Sequence, residues 1–181
     1  MKKEFLLLMA ATAALSGCLS LDDNGSGGGY GVTGAPARDL SVASVARVAV
    51  RHAELPTPGG KVLTAGVLFV KRGDIILGAC WDFVDTVYTR AGFPRNKRSS
   101  VYRAAETGPF ADPALLRPGD WVMYRNLPYG EIGHSAIFVE WIDFEKRSAL
   151  TIEYVGGNRT VPGRFREADL TKIFGIVRGT E

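Results

Sequence analysis

Hydrophobic positions fall into runs of different period along this chain. An apolar run from Phe5 to Leu15 follows Lys2 and Lys3. From Ser20 to Arg38 the chain is rich in Gly, Ser, Asp and Asn, with Gly27-Gly28-Gly29 at its centre. It holds too few large apolar groups to offset the entropy of ordering, which predicts a flexible tether. Val42, Val45, Ala46 and Ala49 then recur at helical spacing. They predict a helix capped by Asp39 or Ser41, running to about His52 and ended by Pro56, Pro58 and Gly59-Gly60. Lys61–Leu77 carries two apolar stretches, Val67–Val70 and Ile75–Leu77, split by Arg72-Gly73-Asp74. Helix and strand fit it equally. Between Cys80 and Ala91, by contrast, Phe83, Val84, Val87, Tyr88 and Ala91 form one helical stripe with Cys80 at its first turn. Gly92 and Pro94 stop that helix.

Beyond it the spacing changes. Pro118-Gly119-Asp120 turns into a strand at Trp121–Tyr124, and Asn126–Gly133 reads as a Gly-rich loop. Strands follow at His134–Ile142, Leu150–Val155 and Phe174–Val177, with a charged turn at Asp143–Arg147. Helices followed by consecutive strands predict an α+β domain with an antiparallel sheet. No internal repeat is visible.

The 181 residues are 46% hydrophobic and 23% charged, which excludes a wholly disordered, collagen-like or polytopic membrane chain. The length suits one domain, residues 39–181, with N-terminal appendages. A net charge of +3, with Lys and Arg scattered, gives no reason to expect nucleic acid as a partner. Two cysteines, Cys18 and Cys80, exclude a disulfide-rich scaffold and a four-Cys zinc site.

The first run is too short to cross a bilayer as a helix, which needs about 20 residues. With its basic start and its end at Leu15-Ser16-Gly17-Cys18, it resembles a bacterial lipoprotein leader. An ordinary signal peptide with an incidental Cys is the alternative. The resemblance implies that residues 1–17 are removed and that Cys18 is lipidated. Residues 18–38 would then tether the domain to a membrane surface. Leu19, rather than Asp, after the Cys favours the outer membrane, facing the periplasm. Cys80 would then be a lone thiol in an exported protein, which calls for a chemical reason.

A thiol in the first turn of a helix sits beside unpaired backbone N–H groups and the positive end of the macrodipole. Both favour thiolate, the reactive form. His134, at the mouth of a strand, is placed to take its proton if the strand lies against the helix. A small buried thiol and a polar strand start account for the same two residues, and spacing alone cannot bring them together. His52 reads as a solvated helix end.

Three motifs in order add to this. Cys80-Trp81-Asp82-Phe83-Val84 with Val87-Tyr88 and Ala91-Gly92 resembles the nucleophile helix of the NlpC/CHAP group of papain-like cell-wall hydrolases. Leu116-Arg117-Pro118-Gly119-Asp120-Trp121-Val122 resembles that group's turn into a strand, and Gly133-His134-Ser135-Ala136-Ile137-Phe138-Val139 its catalytic strand. The resemblance implies a papain-like fold, with N-terminal helices packed on a central antiparallel sheet. It implies a Cys80–His134 pair and a polar third member on the next strand, Glu153 or, as alternative, Asn158. The expected activity is hydrolysis of an amide bond in peptidoglycan, by an endopeptidase or an amidase. The resemblance to a papain-like family implies no metal or organic cofactor. A papain-like module that binds the envelope without cutting it is the competing expectation. Ala79 and Trp81 depart from the NlpC pattern and Val155 from the CHAP pattern, so the branch stays open. Tyr129 beside His134 and Trp81 beside Cys80 are the candidate substrate-binding residues. Trp121, Tyr124 and Trp141 are placed to line a groove or pack in the core. Arg95, Lys97 and Arg98 form a basic cluster that suits an anionic polymer and a solvated turn equally.

Overall fold

A computed structural model of the chain describes residues 49–154 and 161–181. The leader, Cys18, the tether, the start of the first expected helix and Asn158 lie outside the described residues. Among those described, no helix is long and apolar enough to cross a membrane.

The architecture is α+β. Helical residues end at Ala53, near the expected boundary. Two helices follow, α1 (Pro58–Arg72) and α2 (Cys80–Arg90). Six strands come next: β1 (Arg98–Arg103), β2 (Trp121–Asn126), β3 (Ile132–Asp143), β4 (Ser148–Glu153), β5 (Arg164–Asp169) and β6 (Ile173–Gly179). They form one antiparallel sheet in the order β1-β6-β2-β3-β4-β5.

Pro58-Gly59-Gly60, expected to end a helix, instead opens one. Thr57 is the cap, its hydroxyl accepting the Gly60 N–H at 3.1 Å. Proline fits the first helical turn because its missing N–H would have no partner there. The ambiguous stretch is therefore helix as far as Arg72, closed by Gly73 in the left-handed region (φ 66°). Val62, Leu63, Gly66, Val67 and Phe69 form its buried face.

The sheet is covered on both faces. On one, Phe83, Val84, Val87 and Tyr88 of α2 and Leu63 and Val67 of α1 pack against Ile137, Val139, Leu150 and Ile152. On the other, Val122, Tyr124, Ala136, Phe138, Ile173 and Ile176 form a second core. Residues alternate between faces along a strand, so β3, buried on both, reads as a continuous apolar run.

One contact sets α2 against the sheet. The buried Tyr88 hydroxyl accepts the Trp121 N–H at 2.7 Å and lies 2.7 and 3.0 Å from the carbonyl oxygens of Gly119 and Val177. The Pro118-Gly119-Asp120 turn in turn sits on the start of α1. Gly119 has φ 90°, and a Cβ there would lie 2.3 Å from the Gly59 Cα. Asp120 anchors the turn through Arg178, at 2.7 Å. Glycine is needed at position 119 for both its conformation and its close approach.

One expectation needs correction. Arg98 does not lie in a solvated turn: it opens β1, its side chain is 6% exposed, and it pairs with Asp85 at 2.7 Å. Trp141, at the far end of β3 from His134, takes the packing alternative and contacts Phe138 and Phe144, at centroid distances of 5.2 and 5.3 Å.

Candidate active site

Cys80 is the first residue of α2. Ala79 occupies the cap position and has no side-chain acceptor, so Asp82 serves the helix start instead, its carboxylate accepting the Ala79 N–H at 2.7 Å. That carboxylate closes over Gly78, whose φ is 135° and where a Cβ would lie 2.3 Å from Asp82 Oδ2. The first intrahelical bond runs from Phe83 N–H to the Ala79 carbonyl, so the N–H groups of Cys80, Trp81 and Asp82 have no intrahelical acceptor.

The sheet supplies the rest. Tyr124 on β2 faces His134 on β3, Met123 faces Ser135, and Ala136 faces Glu153 on β4. His134 and Glu153 thus lie diagonally across a strand pair on one face. His134 Nε2 is 3.2 Å from Glu153 Oε2, and the same imidazole acts on the Cys80 thiol. The edge of the Tyr124 ring meets the imidazole at 86°, with centroids 5.6 Å apart. Glu153 is fully buried, and its other oxygen, Oε1, accepts from Arg164 and Arg166, each at 3.1 Å.

Charge follows from these contacts. Burial pushes the Cys80 thiol up. The hydrogen bond and charge of His134, with the backbone N–H groups of Ser135 and Trp81, outweigh burial and hold the thiol below its ordinary value. Burial alone would lower His134, but its bonds to Cys80 and Glu153 raise it to about 9. Burial would raise Glu153, yet His134 and Arg166 bring it down to about 2. Burial and the Glu153 charge push the Tyr124 phenol well above its usual range, so it remains a hydrogen-bond donor toward that carboxylate. The arrangement shifts Cys80 toward thiolate and His134 toward imidazolium, with an ionised carboxylate behind them.

Cys80, His134 and Glu153, three residues far apart in sequence, therefore converge. Tyr124 does not line a groove; it is 1% exposed and braces His134. Trp121 is core, at 3% exposure, with one side on the cleft described below. Trp81 is exposed beside Cys80. Tyr129 belongs to the short turn Leu127–Tyr129 that precedes β3; its side chain lies outside the described part. His52 pairs with Glu140 at 3.0 Å and takes no part in the site. Arg164 and Arg166 were not anticipated. The one signal for them was the alternation Arg164-Phe165-Arg166-Glu167, which marks a polar strand.

Comparison with protein-family models, curated proteins and solved structures returned no match.

Proposed function

We propose that the protein is a cysteine hydrolase that cleaves amide bonds in peptidoglycan, on a papain-like fold of the NlpC/CHAP kind, anchored to the envelope through a lipid on Cys18. The observation that carries this reading is the convergence of the Cys80 thiol, at a helix N-terminus, with His134 and Glu153. The ordered motifs at residues 80–92, 116–122 and 133–139 support the family and, through it, the substrate. The leader motif supports the location.

In this reading Cys80 thiolate attacks the carbonyl carbon of the scissile amide. The oxygen takes up the negative charge and is held by free N–H groups of the first turn of α2. His134, as imidazolium, protonates the leaving nitrogen, and the C–N bond breaks to leave a thioester on Cys80. His134, now neutral, removes a proton from water, and the resulting hydroxide displaces the thiolate. The products are a carboxylic acid, an amine and the restored ion pair. Glu153 fixes the orientation of the ring and stabilises its cationic form.

The test is digestion of purified peptidoglycan by the full chain in detergent, beside Cys80→Ala, with released fragments identified by mass spectrometry. New termini with the wild type alone are expected, and they name the bond. Identical fragments from both proteins would exclude a Cys80-dependent hydrolase. Retention of the chain on the wall without cleavage would favour the binding-module alternative.

A further inference from the structure

A cleft of about 580 Å³ lies against Trp81, the residue after Cys80, and is floored by β1, β6 and β2. That volume is in the range of small-ligand sites. Its floor is apolar, built from Trp121, Met123, Phe174 and Val177. It adjoins the candidate active site at two points. Trp81, directly after Cys80, forms its wall. Glu106, on its rim, comes so near Gly133 that a Cβ there would lie 2.7 Å from the carboxylate, one residue from His134.

The charges around this cleft are unbalanced. Arg98 is committed to Asp85 at 2.7 Å, and Glu106 to Arg125 at 3.0 Å. Arg95 reaches the same Asp85 only at 3.7 Å, is 75% exposed, and lies over the Trp81 ring at 5.0 Å. Arg103 is exposed and has no ion-pair partner among the described residues. Two guanidinium groups thus face the cleft with little or no carboxylate to meet them. A guanidinium pairs with a carboxylate through two parallel N–H groups.

We infer that this cleft is the subsite for a carboxylate-bearing peptide segment of the substrate, with Arg103 the principal anion contact, Arg95 a second, and Trp81 and Met123 the platform for the aliphatic part. Arg103 acts here as a specificity residue, remote from the bond that breaks. The inference rests on the hydrolase reading for the substrate's identity, but the cleft's preference for carboxylate can be measured without turnover.

The experiment uses the full chain carrying Cys80→Ala, so that nothing is consumed. Two probes are titrated calorimetrically: a peptidoglycan stem tetrapeptide with free carboxylates, and the same peptide with every carboxyl amidated. The free acid is expected to bind at least about tenfold more tightly, by an amount that shrinks as salt rises. Adding Arg103→Ala should erase that preference, and Arg103→Lys should restore part of it, since lysine keeps the charge but loses the planar fork. Equal binding of the two peptides, no binding of either, or a preference that survives Arg103→Ala would each overturn the inference. Failure of the two readings is separable. Carboxylate preference without wall cleavage by the wild type would remove the hydrolase and leave the subsite. Cleavage with equal binding would do the reverse.

Discussion

His134 Nε2 and Glu153 Oε2 lie 3.2 Å apart, while the second oxygen of the same carboxylate is taken by Arg164 and Arg166. The two oxygens thus divide the work: one orients the imidazole, the other keeps the buried carboxylate ionised. Because the bond to Glu153 helps raise His134 to about 9, its removal should lower that value. If the protein hydrolyses amides, the alkaline limb of kcat/KM should lie near pH 9 in the wild type and at lower pH in Glu153→Gln. A pH–rate series on both proteins checks this, and an unmoved limb would take Glu153 out of the mechanism.

Glu153 also links stability to pH. Its folded value, about 2, lies below its ordinary 4.5, so its contribution is present above pH 4.5 and is lost as pH falls toward 2. Urea midpoints measured across that window should fall more steeply for the wild type than for Glu153→Gln. At neutral pH the variant should be less stable by about 3–5 kcal/mol, because two arginines lose their buried counter-ion.

Tyr88→Phe removes a hydroxyl that serves Trp121 N–H and the Gly119 and Val177 carbonyls. Buried groups left without partners should cost about 1–3 kcal/mol in a denaturation measurement. The aromatic packing of α2 is retained, so a loss near zero would mean that the hydroxyl does not hold the helix to the sheet.

Gly119→Ala meets two obstacles at once, a φ of 90° and the backbone of Gly59 at 2.3 Å. Strain and overpacking together should cost about 2–4 kcal/mol in the same measurement. The cost falls on the contact between the turn and α1, and a neutral result would contradict that packing.

These elements differ in how plainly the sequence announces them. α2 is amphipathic along its whole length and β3 is buried on both faces, so each carries a pattern of its own. α1 does not, since its Pro-Gly-Gly start resembles a terminator and its apolar run continues past Gly73 into Ile75–Leu77. β1 and β5 were missed for a shared reason: they are the two edges of the sheet, and edge strands carry charge. Arg98–Arg103 and Arg164–Asp169 read locally as polar loops, and only pairing with β6 and β4 makes them strands. Arg164 and Arg166, hidden with β5, are the part of the candidate site for which the sequence offers only a short polar alternation. Cys80 was legible as a candidate because it opens a strongly patterned helix, whereas His134 and Glu153 were singled out with the help of the family resemblance.

The claim on which the rest depends is that Cys80 is a thiolate held by His134. The rate of Cys80 alkylation by iodoacetamide, followed on the Cys80 peptide by mass spectrometry across pH, tests it most directly. The wild type should react with an ionisation below the ordinary thiol value of 9.0, and His134→Ala should shift that ionisation upward. A wild-type profile at or above 9.0, unchanged by His134→Ala, would show an ordinary buried thiol and contradict the account.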